Sequence, residues 1–368
     1  MTDSPSTTPR PYEQRLSPGD HVDPRGHGLG GDSDRQRLLD TFAGRPTDRR
    51  ATLEYLIDRR NCEAILGKPA ANSWHLAAED FVALALAIGQ DAIGGPLFAK
   101  PASLFGQVPR GTMRSRADLR RLKAEGVITP MQVDERALER FLKAIEGTGL
   151  GLWHHLSAGL TQVYEAMGLE AFGLCLYDEP ALLDELLDMA MDENQRVLEA
   201  LLDYPLSFIH VGDDLGHKGG LLFRPQYLVE TWMPRLRRCI APARQAGVPL
   251  TFHSDGDIRA VIPMIVDLGF VSLNPIEPYG MDIVELAQRF GARLTLIGNI
   301  DVAGPLAFGS PQQVRQAVRD LLERLPPNTR HVGATSHSVL NDIPPENFLA
   351  MVAAFQGRGR VQDVSAGD

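Results

Sequence analysis

The stretch "VPLTFHSDGDIRAVIPMIVDLGF", residues 248–270, decides how the rest of the chain is read. A short apolar run from Val248 to Phe252 stops at His253. Ser254, Asp255, Gly256 and Asp257 follow, and then an amphipathic stretch resumes. A brief continuous apolar run bounded by turn residues suits a strand buried on both faces, and a helix after it suits a parallel crossover. The same unit recurs downstream. Helices are expected over 257–268, then over 282–290 after "FVSLNPIEP", over 311–324 after "RLTLIGNID" and over 344–356 after "RHVGATSHS".

Upstream the rhythm is weaker but has the same order. "EDFVALALAIGQ" (79–90) predicts a helix and is followed by the short apolar "DAIGG". "ERALERFLKAIEG" (135–147) predicts a helix before a strand in "LGLWHHLS" (150–157). A long amphipathic helix over 180–204 precedes a strand in "LSFIHVGDD" (206–214). Residues 224–247 are helical in pattern, with Pro234 and Pro242 implying a kink or a break. The count of strand–helix pairs approaches eight, so a single (β/α)8 TIM barrel over residues 36–358 is the best reading. A doubly wound open sheet is the competitor. Its GxGxxG fingerprint is missing, because "GHGLGG" (26–31) does not follow a strand.

The chain has 368 residues, 43% of them hydrophobic, enough to bury one large core. Its net charge of −10 argues against a broad electropositive face for nucleic acid, though not against a local basic pocket. Cys62, Cys175 and Cys239 are widely spaced and form no motif, which reads as the reduced thiols of a cytoplasmic protein. No apolar run reaches the length of a membrane span. The first 35 residues are rich in Pro, Gly, Ser, Asp and Arg and lack the apolar core of a signal peptide. They are expected to form a disordered arm (1–35), in which His21 and His27 are isolated, and residues 359–368 a flexible tail.

In a barrel of this kind, side chains at the C-terminal ends of the strands face the active site. Five successive strand ends deliver Asp213 and Asp214, then His253 and Asp255, Asn274 and Glu277, Asn299 and Asp301, and Ser336 and His337. Each alone is ordinarily a helix cap or turn residue. Capping gives no reason for two histidines and a glutamate, so a shared polar pocket is the better account of the set. His253 and Asp255 are two residues apart and point to one side of a strand end, and His337 comes from a strand further round. Two imidazoles and a carboxylate could hold zinc or another divalent metal. The metal-free alternative is hydrogen bonding and proton transfer to a substrate. Glu277 is a further ligand or a partner behind one.

Other histidines rank lower. His154 and His155 end a strand, so one faces the pocket while the other packs outside. His210 reads as a core residue, and His75 and His331 as surface or cap residues. His217 sits with Lys218 on a glycine loop that could close over an anionic ligand. Cys175 and Cys239 fall in helical patterns, where packing is the default. No serine has a GxSxG setting and no P-loop is present.

Taken together, "HVGDDLG", "FHSDGDI…IPMIVDLGF…LNPIEP", "IGNIDV" and "SHSV…IPPENF" resemble the uroporphyrinogen decarboxylase superfamily. The likeness runs from Thr52 to Phe355 and includes "AMGLEAFGLCLYDEPALLDELL" (166–187). The resemblance implies a (β/α)8 barrel and one of two activities, decarboxylation or cobalamin-dependent methyl transfer. Decarboxylases of the superfamily carry an N-terminal RQAGR-like stretch whose arginines hold substrate carboxylates. Here that place reads "YLIDRRNCEAIL", with Arg59 and Arg60 but not the motif. They also carry a histidine in GHG near the last strands, where His337 stands.

The methyltransferase branch has His-x-Cys where this chain has His253-Ser254-Asp255, and a later cysteine near His337. A zinc–thiolate site is therefore excluded at these positions. A harder His253/Asp255/His337 site would suit an oxygen-bearing substrate such as a methyl ether, polarised by a zinc-type Lewis acid. Asp214 or Glu277 would then position the substrate or move a proton. The methyl acceptor would be cobalamin on a separate corrinoid protein. Asp213, Asn274, Asn299, Asp301, His154 and His217 are the remaining candidate substrate contacts.

The leading expectation is thus a demethylase-type methyltransferase with a corrinoid partner and a small methylated substrate. The alternatives are a carboxy-lyase acting on a porphyrinogen-like acid without a cofactor, and an inactive barrel that binds a tetrapyrrole or corrinoid. A homodimer is expected by analogy with barrels that pair through their helices. Neither nucleic acid nor membrane is an expected partner.

Overall fold

The computed structural model describes residues 32–358. Seven parallel strands lie side by side in chain order. They are β1 (Ala92–Gly95), β2 (Gly151–Ser157), β3 (Phe208–Gly212), β4 (Leu250–His253), β5 (Ser272–Asn274), β6 (Thr295–Ile300) and β7 (His331–Thr335). Sequential order without reversal is the pattern of a barrel, since a doubly wound sheet reverses at a switch point.

The two edges of this sheet are joined by the segment 51–53. Gly333 N donates to Ala51 O at 2.9 Å and Leu53 N donates to Gly333 O at 3.3 Å. On the other side Asp91 N donates to Thr52 O at 3.2 Å. The segment is the eighth strand, reduced to one parallel bridge between Thr52 and Gly333. A curled sheet closed this way has no long free edge.

Alternation along the strands sorts side chains into two cores. Trp153, Phe208, Ala92, Ala51, Leu53, Ile297, Val332 and Ala334 point inward and fill the barrel. Leu152, Ile209, Val211, Leu250 and Phe252 point outward under the helices. Each fully buried side chain of this size stabilises the fold by roughly 1.5–3 kcal/mol relative to exposure. Gly94 is required beside Trp153, because a Cβ there would lie 2.1 Å from the Trp153 carbonyl oxygen.

The bottom of the barrel is plugged. Helix Arg35–Ala43 starts on Asp34, whose side chain accepts from Gln36 N, and inserts Leu38 and Phe42 into the inner core. Phe42 meets Phe208 edge-on at 5.5 Å. Beneath it Asp91, fully buried, accepts hydrogen bonds from Arg37 and Arg49 and from the backbone of Asp34 and Thr52. The opposite, C-terminal face opens into a cavity.

The expected arm lies outside the described residues as far as residue 31, as do His21 and His27, and so does the tail from 359. Residues 32–35 are held to the body: Asp32 pairs with Arg49 and Arg358. The proline-marked stretch breaks where expected. Helix Pro225–Tyr227 passes into a wider turn at Leu228–Trp232, then into Met233–Cys239, and restarts at Ala241–Gln245. The helix expected over 257–268 is shorter, Ile262–Asp267, because the Asp257 carboxylate caps a turn by accepting from Arg259 N at 3.1 Å. Among the described residues no helix is long and apolar enough to cross a membrane.

Candidate active site

A cavity of about 510 Å³ opens at the C-terminal mouth of the barrel. Its polar wall begins where β3 and β4 end. Asp214, half-exposed, follows β3, and its Oδ1 accepts from Asp255 N at 3.2 Å. His253, the last residue of β4, brings Nε2 to 3.7 Å from Asp214 Oδ1 and 3.8 Å from Asp255 Oδ1. His337, beyond β7, reaches Asp255 Oδ2 from across the mouth at 3.5 Å. Asp214, His253, Asp255 and His337 thus lie together at the mouth; Asp214, His253 and His337 line the cavity, and Asp255 stands behind its lining.

The electrostatics follow from those contacts. Burial alone would raise the Asp255 carboxyl. The hydrogen bond with His337 and the favourable electrostatics of the two neighbouring imidazoles outweigh it and hold the group below its ordinary value. His337 is pushed above its ordinary value by that hydrogen bond, against burial.

Asn274, at the end of β5, orients His253. Its Oδ1 lies 3.1 Å from His253 Nδ1, so Nδ1 carries the proton and Nε2 presents a lone pair. Asp214, His253 and Asp255 each offer a ligand atom, and these atoms lie within 4.8 Å of one another. Asp255 Oδ1 is buried without a hydrogen-bond partner. A buried carboxylate oxygen in that condition needs a cation or a donor, and an imidazole lone pair fixed by an amide behind it is the ordinary arrangement of a metal ligand. The donor set fits a divalent ion.

Other expected residues are elsewhere or differently employed. Asp213 borders the cavity, but its carboxylate accepts from Leu160 N, Thr161 N and Trp232 Nε1 at 2.9, 2.5 and 3.0 Å. It fastens the start of helix Leu160–Met167; burial pushes its pKa up to about 6 against those donors. Glu277 lies under the turn rather than in the cavity. Its Oε2 accepts from Gly256 N at 2.6 Å and its Oε1 from the Tyr279 hydroxyl. Gly256 has φ 80°, and a Cβ there would meet the backbone of Gly216 and His217 at 2.4 Å, so the turn needs glycine.

Three expectations are corrected. His154 points out of the barrel and packs against Phe98 with ring centroids 5.7 Å apart; its neighbour His155 faces the cavity instead. Asn299 and Asp301 line a separate outer groove, where Asp301 accepts from Ala303 N at 2.9 Å. His217 is exposed on the small ribbon Gly216–His217 and Gly220–Leu221, and its Nδ1 accepts from Gly219 N at 3.1 Å.

The cavity also holds residues that were not expected there. Glu54, Tyr55 and Trp74 form its wall beside β7 and β1. Tyr55 lies just past the minimal eighth strand and touches Trp74, His155, His210 and His253. Glu54 is buried and accepts from Thr335 N at 3.1 Å; burial pushes its pKa up to about 8. Alternation outward from Leu53 is the signal that could have found Tyr55. Among the described residues no lysine or arginine lines this cavity.

A family model described as uroporphyrinogen decarboxylase matches residues 105–357. The chain is 31% identical over 182 residues to uroporphyrinogen decarboxylase of Methylococcus capsulatus, covering 49% of each protein. It is 26% identical to that of Magnetococcus marinus, covering 54% of this chain and 56% of the relative. The match to that of Hydrogenovibrio crunogenus is 23% identical and covers 71% and 70%. The chain thus spans about half the length of the first two relatives it matches. Among solved structures, a methyltransferase from Methanosarcina mazei superposes with a TM-score of 0.65 at 18% identity, over 88% of this chain and 98% of that one. That likeness speaks to the fold.

Proposed function

The chain belongs to the uroporphyrinogen decarboxylase family, and from that premise we propose a metal-assisted methyltransferase of the demethylase type. Its substrate is a small methylated molecule, and its methyl acceptor is a corrinoid carried by a separate protein. One observation carries this reading: the cavity gathers carboxylates and an unblocked imidazole nitrogen, with no lysine or arginine in its lining among the described residues. A poly-carboxylate substrate would meet Asp214, with Asp255 behind it, and no lining lysine or arginine among the described residues to offset them, which is unfavourable in a site of low dielectric. A divalent cation, or a neutral substrate beside one, meets no such cost.

Asp214, His253 and Asp255 are the residues that would hold zinc or a similar ion, which when bound would act as a Lewis acid toward a substrate oxygen. Asn274 keeps the His253 lone pair directed at the cavity. Glu277 and Gly256 fix the turn that carries Asp255. His337, protonated more readily than an ordinary histidine because of Asp255, has a proton to give to the oxygen that loses its methyl group.

Large apolar side chains stay exposed at Leu174, Tyr177, Val229, Tyr279 and Phe308, the last 82% exposed, and a partner protein would bury such groups.

The test is methyl transfer from a methyl ether such as 2-methoxyphenol to added cob(I)alamin, followed by the cobalt absorbance, with zinc supplied. Turnover that is lost in Asp255→Ala supports the reading. A second reading, a carboxy-lyase, is favoured by the names of the relatives and by His337. It requires CO2 release from uroporphyrinogen by metal-free protein, and that result would replace the first reading.

A further inference from the structure

Two histidines face the cavity with their protons on opposite nitrogens. His253 holds its proton on Nδ1, against Asn274 Oδ1, which can only accept. At His155, Nδ1 lies 3.0 Å from the Tyr55 hydroxyl. Among the described residues that hydroxyl has no other hydrogen-bond partner, and its proton is satisfied there only when the phenol donates and Nδ1 accepts. A neutral imidazole accepting at Nδ1 carries its proton on Nε2. Burial keeps the ring neutral, pushing its pKa down to about 3.

Among the described residues Nε2 of His155 has no hydrogen-bond partner, and the residue lines the cavity. The strand beside it leaves room for that edge. Gly212 ends β3, and a Cβ on it would lie 2.4 Å from His155 Cε1 and 3.3 Å from Nε2. Glycine leaves this space to the cavity, which Gly212 also lines.

We infer that His155 is a substrate-binding residue, a neutral Nε2–H donor directed at an oxygen acceptor of the substrate, and that Tyr55 is the positioning residue that fixes its tautomer. The inference rests on the cavity being the substrate site and requires neither the metal nor methyl transfer. It names a substrate class. A ligand that presents an ether, carbonyl or phenolate oxygen at this point completes the hydrogen bond. A ligand that presents an N–H there sets donor against donor and leaves both unsatisfied, a mismatch that costs about tenfold or more in affinity.

Two measurements on the full chain test this. In protein labelled with ¹⁵N-histidine at pH 8, two-bond ¹H–¹⁵N correlations assigned through His155→Gln should show a pyrrole-type Nε2 and a pyridine-type Nδ1 for His155. Tyr55→Phe, which keeps the ring but removes the donor, should convert this pattern to a mixture of tautomers. A proton on Nδ1 in the unaltered protein, or a pattern unchanged by Tyr55→Phe, would overturn the assignment. Ligand titration by NMR should then show anisole bound about tenfold more tightly than N-methylaniline, with the preference lost in His155→Phe. An absent preference, or one that survives the substitution, would overturn the role in recognition. Failure of methyl transfer from 2-methoxyphenol would count against the proposed function and leave both of these results standing.

Discussion

Tyr55 lies flat against His253, with ring centroids 5.0 Å apart and 18° between the planes. This contact joins the chain just past the 51–53 segment to the end of β4. Asn274 fixes the His253 ring from its edge and Tyr55 fixes it from its face. The imidazole is therefore held before any ligand arrives.

Replacing Tyr55 by leucine should loosen that ring. An aromatic pair of this kind contributes about 0.5–1.5 kcal/mol beyond area burial, so zinc affinity should fall by roughly three- to tenfold. Tyr55→Phe keeps the stack and should keep the affinity. Isothermal titration of zinc into the two variants separates the cases.

Glu54 supplies a pH prediction. Thr335 Oγ1 lies 2.7 Å from Glu54 Oε2 and also contacts the His337 carbonyl oxygen. Thr335 donates to the Glu54 carboxyl from its N–H and its hydroxyl, which favours the charged form, but burial outweighs both and raises the pKa from 4.5 to about 8. A group whose pKa rises on folding contributes stability that is complete below its unfolded pKa and is lost as pH rises through the folded one. Urea unfolding should therefore show stability falling between pH 5 and pH 9. Glu54→Gln, which keeps a donor without titrating, should remove roughly 2–4 kcal/mol of that fall, at about 1.4 kcal/mol per pKa unit.

Asp213 should prove a fold residue. Both of its oxygens accept from backbone N–H groups at the start of helix Leu160–Met167, and one also accepts from Trp232. Asp213→Asn turns one acceptor into a donor facing an N–H. The unfolding free energy should drop by about 1–3 kcal/mol while zinc affinity stays within a factor of two. Denaturation and metal titration on the same preparation check this, and loss of metal without loss of stability would be the opposite outcome.

Much of the barrel and of its mouth was legible because each strand of the second half announces its own end. Val248–Phe252 is apolar but for the small Thr251 and His253 is not, so the change of residue type marks where the chain leaves the core. The eighth strand was not legible, because 51–53 pairs through a single bridge and needs no apolar run. Tyr55 and Glu54 went unread with it. The choice between His154 and His155 depends on which face of β2 turns inward, which Trp153 decides by joining the inner core. Asn299 misled for a related reason: β6 continues to Ile300, two residues past the apolar run that seemed to end it. Glu277 falls three residues after β5 ends at Asn274, far enough for the chain to fold it beneath the turn.

The central claim is that Asp214, His253 and Asp255 act as one cation site. It is tested most directly by metal content, measured by mass spectrometry after zinc loading and exhaustive dialysis. The account predicts about one zinc per chain in the unaltered protein and less than about a tenth of that in His253→Ala and Asp255→Ala, with folding preserved by circular dichroism. Unaltered protein that retains no zinc, or variants that retain it fully, would contradict it.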